Sequence, residues 1–115
     1  ISPDKDKGLT ASMVNNYVKH GYLTKPDKKK YQRQQIARLI AITTLKSVFS
    51  IQEIAQTLNT LQSQASSDQL YDAFVDYMNQ GIDPANPIIQ TSCQTVKLYH
   101  QTLALIDHTQ EEVIQ

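Results

Sequence analysis

Apolar residues fall along this chain in short helical phases, each bounded by residues that cap or break a helix. Thr10 has the chemistry of an N-cap, Met13, Val14, Tyr17 and Val18 recur at helical spacing, and Gly21 stands where left-handed backbone ends the element. A short amphipathic helix is predicted. From Tyr22 to Arg33 the pair Pro26-Asp27 divides two short segments, each with an aromatic or apolar residue, which predicts a small hairpin or extended loop. From Gln34 the spacing of Ile36, Leu39, Ile40 and Thr43 predicts one buried helical face, with Ile42 and Leu45 on its flank and a stop near Val48-Phe49. Ser50-Ile51-Gln52-Glu53 is a capping box, so a new helix starts there and carries Ile54, Leu58 and Leu61 inward. Ser66-Ser67-Asp68-Gln69 repeats that chemistry ahead of Leu70, Tyr71, Phe74, Val75 and Met78, and Gly81 closes the fourth helix.

After Pro87, tolerated in a first turn, nothing breaks the last helix, which predicts a rod of roughly 40 Å. On a heptad its a and d positions are Ile89, Ser92, Val96, Tyr99, Leu103, Ile106, Gln110 and Val113. Ile88, Cys93, Leu98 and Leu105 widen that seam, enough to pack on its own domain and on a second subunit together. The expected architecture is therefore mainly α. Residues 1–9 are read as disordered or linker, 10–65 as a binding region, and 66–115 as a helical packing and dimerisation region of the same domain. Homodimerisation is assigned to Ile89, Val96, Tyr99, Leu103, Ile106 and Val113.

Composition narrows the function. A chain of 115 residues, 40% apolar and 19% charged, is one domain's worth with a single core. No run approaches the ~20 apolar residues of a membrane span, and the first residues lack the apolar stretch of a secretory signal, so no membrane partner and a cytoplasmic location are expected. Cys93 stands alone, and His20, His100 and His108 are isolated, so neither a disulfide nor a metal site is expected. The acids Asp68, Asp72 and Asp76 share one helical face without a base, nucleophile or metal partner beside them. The three glycines form no phosphate loop. The expectation is a protein that is not an enzyme and holds no cofactor.

The net charge of zero conceals a division. Residues 1–50 hold ten Lys/Arg against three Asp, whereas residues 51–115 hold one basic residue against eight acids. A basic segment attracts phosphate and an acidic one repels it. The polar face of the first helix carries Ser12, Asn15, Asn16 and Lys19, and Asn can pair with the N6 and N7 edge of adenine. Lys25, Lys28, Lys29 and Lys30 gather on the following turn between Tyr22 and Tyr31, where each ammonium can neutralise one phosphate. Arg33 and Arg38 extend that strip along the next helix if they share its side. Duplex DNA is the partner this pattern predicts, with Thr10 joining the contacts at the helix start.

The stretch from Thr10 to Leu61 resembles the DNA-binding half of the MerR family of bacterial regulators. The residues that carry the likeness are Thr10 to Leu23, then Tyr31, then Ile36, Leu39, Ile42 and Leu45 at steps of three, then Phe49-Ser50-Ile51-Gln52-Glu53-Ile54. The whole chain is more similar still to an uncharacterised bacterial family, domain of unknown function family 1836, through Met13-x-Asn15-Asn16-Tyr17-Val18-Lys19 and its Lys-Lys-x-Tyr turn. The MerR resemblance implies a winged helix, with a recognition helix, a short wing and two further helices, followed by a helical half whose long final helix pairs antiparallel across a dimer. It also implies a transcriptional regulator of the helix-turn-helix class binding DNA through residues 11–20 and 24–33. The chain departs from that pattern at Asn15 and Asn16, where a basic residue and an aromatic are usual, and at Gln32, where an arginine is usual. The helix that should precede a recognition helix is expected upstream of Thr10 or not at all. The alternative is a protein-interaction or sensing module of winged-helix shape that does not bind DNA.

Overall fold

The computed structural model describes residues 9–28 and 30–114, with side chains described as far as Glu111. Five helices follow one another: α1 (Ala11–Lys19), α2 (Arg33–Leu45), α3 (Ile51–Gln62), α4 (Ser67–Gln80) and α5 (Pro87–Ile114). The expected disorder of residues 1–9 lies, except for Leu9, outside the described residues.

Local chemistry sets both ends of α1 and the starts of α3, α4 and α5 where the sequence placed them. The Thr10 hydroxyl accepts from the Met13 amide at 3.1 Å. At the other end of α1, Gly21 takes φ +78°, the Tyr22 amide donates to Tyr17 O at 2.9 Å, and the Gly21 amide donates to Val18 O at 3.1 Å. Those two bonds satisfy carbonyls that a helix end leaves open, and they turn the chain sharply towards Leu23. Both capping boxes close reciprocally: Ser50 Oγ accepts from the Glu53 amide at 3.1 Å while Glu53 Oε1 accepts from the Ser50 amide at 2.8 Å. Ser66 and Gln69 do the same at 3.2 Å in each direction. Asn86 Oδ1 accepts from the amides of Ile88 and Ile89, and Pro87 occupies the first helical position of α5.

Helix α2 is the hub, packing against α3, α4 and α5, while α4 also packs against α3 and α5. Its buried side chains are Leu39, Ala41, Ile42 and Leu45, joined in the core by Ile54 and Leu61 from α3, Phe74 from α4, and Ile89, Cys93 and Val96 from α5. This corrects the expected face of α2. Ile36 and Ile40 remain 48% and 36% exposed, and the helix ends at Leu45, three residues before the expected stop. Apolar residues surround α2 on every side, so its own periodicity does not choose a face; its three neighbours do. Helix α1 joins the core through Tyr17, assisted by Met13, Val14 and Val18, and the chain beyond it through Leu23.

Helix α5 serves two environments. Ile89, Cys93 and Val96 are buried at 2%, 0% and 1% exposure, which corrects the assignment of Ile89 and Val96 to a dimer contact: they are core residues of their own domain. Lys97 ends that buried stretch, donating to Tyr77 O at 2.9 Å with its ammonium 4.5 Å from the Tyr77 ring centroid. A cation at the carbonyl end of α4 is electrostatically favourable there. Beyond it Leu98, Tyr99, Leu103, Leu105 and Ile106 all stand exposed, and the helix runs clear of the bundle. The radius of gyration is accordingly 16.0 Å, against about 13 Å for a close-packed chain of this length. The Val113 side chain lies outside the described residues.

Candidate nucleic-acid interface

The two faces of α1 differ as the sequence requires. With Tyr17 buried and Met13, Val14 and Val18 packed against the core, Ser12, Asn15, Asn16 and Lys19 are left on the exposed side. Thr10 is half-buried with its hydroxyl serving as the helix cap. The nine residues of α1 span about 14 Å, short enough to lie within a major groove.

The lysine segment is held as a turn by backbone bonds between Asp27 and Lys30, 3.0 Å in one direction and 2.8 Å in the other. Lys28 sits at the tip with φ +49°, a left-handed conformation uncommon for residues other than glycine. Lys25, Lys28 and Lys30 are exposed, whereas Lys29 lies outside the described residues. No strand flanks the turn among the described residues, so the expected wing is reduced to a single bridged turn. No helix precedes α1 among the described residues either, and the winged-helix arrangement implied by the MerR resemblance is not reproduced at that level of detail. Tyr22 and Tyr31, expected to flank the lysines, instead pack partly buried against the core.

Two residues of α2, one turn apart on the same face, fasten this segment. The Gln35 side-chain amide nitrogen lies 2.7 Å from Thr24 Oγ1, 3.0 Å from Thr24 O and 2.9 Å from Lys25 O, while its Oε1 accepts from the Gln32 amide. Arg38 Nε donates to Tyr22 O at 2.8 Å, and its Nη2 donates to Asn59 Oδ1 of α3 at 3.1 Å. The chain from the end of α1 to the lysine turn is thereby pinned to the hub helix. The sequence reading missed Gln35; the signal available was Gln32-x-x-Gln35 at a helix start, a weaker form of the capping pattern recognised at Ser50.

Arg33 and Arg38, expected to extend the basic strip if they share its side, each have a partner within the domain. Arg38 is half-buried and committed inward, and burial lowers its pKa from the usual arginine value. Arg33 reaches Asp68 in the first turn of α4 at 3.7 Å. With side chains 72% and 60% exposed, such a pair contributes about 0–1 kcal/mol. The structure thus brings Ser12, Asn15, Asn16 and Lys19 to one helix face and Lys25, Lys28 and Lys30 to the adjoining turn, while Arg38 bonds to Tyr22 and Asn59 and Arg33 lies near Asp68.

Among the described residues no group of His, Cys, Asp or Glu is arranged to hold a metal ion, and no helix is long and apolar enough to cross a membrane. The Cys93 thiol is buried beside Val96, and burial pushes its pKa up to about 11, far from the range of a reactive thiolate. Asp68, Asp72 and Asp76 are solvent-facing along α4.

What fold and surface define, then, is a helical domain of five elements among the described residues, with an exposed polar face on α1, a lysine turn whose preceding segment is fastened to α2, and a long helix projecting from its body. The chain belongs to the family described as domain of unknown function DUF1836, whose model matches residues 1–74. That span takes in α1, the lysine turn, α2, α3 and the first half of α4, and leaves α5 outside. No curated protein and no solved structure is significantly similar to the chain.

Proposed function

We propose that this chain is a MerR-like DNA-binding regulator that grips duplex DNA through the exposed face of α1 and the lysine turn, and that two copies act together through the projecting half of α5. The observation that carries the reading is the fastening of residues 22–25 to Gln35 and Arg38. It ties the segment that follows α1 to α2, and in this reading α1 and the turn form one edge; Lys19, Lys25, Lys28 and Lys30 are exposed and Asp27 is the sole acid from Leu9 to Phe49. Four or five phosphate contacts per copy would give a slope of log affinity on log salt of about −4. Asn15 and Asn16 would read base edges, each contributing about 1–3 kcal/mol of discrimination at its base pair. A second copy would set two such edges about 34 Å apart, on successive turns of one groove face.

The test is a fluorescence titration of duplex DNA at several salt concentrations, with Lys25, Lys28, Lys29 and Lys30 changed to Ala. Weaker binding with a flattened slope supports the reading, and an unaltered slope removes the turn from the contact. A protein-interaction module without DNA contact is favoured by a different observation, the exposed apolar side chains of Leu98, Tyr99, Leu103, Leu105 and Ile106. Absence of duplex binding by the wild-type chain, together with self-association, would decide for that module.

A further inference from the structure

Arg38 is a half-buried charged group whose hydrogen-bonding capacity is only partly met. An arginine has five N–H donors, and only two of them, on Nε and Nη2, have protein acceptors here. The described residues provide it with no ion-paired carboxylate, although the guanidinium is half-buried. Burial lowers its pKa, with no neighbouring charge acting in the other direction. A guanidinium nevertheless stays protonated in a protein, so a partly desolvated positive charge faces the space in front of it without a counter-charge.

That space has two parts that meet at Arg38. One is an open cleft of about 240 Å³ between residues 21–24, α2 and α3, with Thr24, Gln35, Asn59 and Gln62 on its walls. The other is a smaller apolar hollow of about 60 Å³ where α2, α3 and α4 converge, walled by Ala37, Ala41, Leu58, Leu70 and Phe74. Gln34, Arg38 and Gln62 line both, so a molecule entering the cleft reaches the hollow past the guanidinium. The polar part offers a charged fork with spare donors and side-chain amides, and the other part is walled mainly by hydrocarbon, with Ser67 and Tyr71 also on its lining.

We infer that this junction is a binding site for a small amphipathic monocarboxylate, whose carboxylate pairs with the free edge of Arg38 while a tail of a few carbons enters the hollow between α2, α3 and α4. The site requires both halves of its ligand. Oxyanions without a tail forfeit the hollow, and neutral alcohols with the same tail leave Arg38 unpaired. None of the lysines of the DNA-facing edge takes part, so this site stands or falls separately from the DNA reading.

The probe is hexanoate, titrated into the ¹⁵N-labelled 115-residue chain and followed by amide and Arg Nε chemical shifts, with acetate, hexan-1-ol and inorganic phosphate in parallel. Hexanoate is expected to saturate with a dissociation constant on the order of 1 mM, moving Arg38 Nε and the side-chain amides of Asn59 and Gln62. Acetate, hexan-1-ol and phosphate should each bind about tenfold or more weakly. The exposed substitution Gln62→Glu sets a negative charge at the mouth without touching the core, and should weaken hexanoate by about tenfold at low salt. A Lys28→Ala, Lys30→Ala variant should bind hexanoate as the parent does. Shifts that rise linearly without saturation, hexan-1-ol or phosphate binding as tightly as hexanoate, or a Gln62→Glu chain that binds unchanged would each overturn the assignment.

Discussion

Replacing Arg38 by Ala separates two roles that a basic residue in this region could have. The structure gives the guanidinium two protein acceptors, Tyr22 O at 2.8 Å and Asn59 Oδ1 at 3.1 Å. A hydrogen bond from a charged donor contributes about 1.5–3 kcal/mol when shielded from water. The bond to the Tyr22 carbonyl is partly buried and keeps most of that, whereas the bond to Asn59 is exposed and retains little. The summed loss for Arg38→Ala is therefore about 2–3 kcal/mol, including the packed stem of the side chain. For a chain of this size that corresponds to a fall in Tm of roughly 8–15 °C, measured by calorimetry or circular dichroism. Hydrogen exchange should quicken most at Leu23 and Thr24, whose anchor to α2 is weakened. Under conditions where the variant stays folded, its salt slope for duplex DNA should match the wild type. A variant of unchanged Tm whose slope flattens by about 0.9 would show that Arg38 contacts phosphate and that the inward bonds do not matter.

Three further outcomes follow from the same geometry. Leu103→Asp with Ile106→Asp should leave the far-ultraviolet spectrum and Tm of the monomer fold intact, because both residues are exposed, and should abolish self-association in sedimentation equilibrium; a dimer that persists would take the seam away from α5. Glu53 accepts bonds from the Ser50 backbone and side chain, and these hold its carboxyl below the usual range, so its contribution is complete above the unfolded-state pKa of about 4.3 and is lost as pH falls through the depressed folded value. Urea midpoints of wild type and Glu53→Gln should therefore converge on acidification, and curves that remain parallel would refute the capping role. For Cys93 the sign is opposite: its folded-state pKa of about 11 exceeds that of an unfolded thiol near 8.5, so the unfolded chain releases its proton first. Stability should decline from about pH 8.5 upwards in wild type and do so less in Cys93→Ala, compared below pH 9.5 to keep tyrosine and lysine titration out of the reading.

The elements that were legible in advance are those whose signal is local. Thr10, Ser50 with Glu53, Ser66 with Gln69, Gly21, Gly81 and Pro87 each act on backbone groups within a few residues, and all of them stand at the helix ends they mark. The face of α2 was not legible, because a helix with apolar residues on every side takes its orientation from its neighbours. For the same reason one heptad along α5 concealed a change of environment at Lys97: Ile89 and Val96 serve the core, while Leu103 and Ile106 on the same seam do not. The exposed side of α1 followed from its simple periodicity, and so did the exposed lysines of the turn. The fate of Arg38 did not, since nothing in Gln34-Gln35-Ile36-Ala37-Arg38 reveals a carbonyl from residue 22 waiting beside it.

The account rests on α1 and the lysine turn forming one edge that meets the phosphates of a duplex. Its most direct test is the affinity of the wild-type chain for duplex DNA measured against salt, alongside the chain with Lys25, Lys28, Lys29 and Lys30 changed to Ala. The account predicts a wild-type slope of about −4 per copy and a variant slope shallower by about 0.9 for each contact removed. Duplex binding whose salt slope is the same in both chains, or no duplex binding by the wild type at low salt, would contradict it.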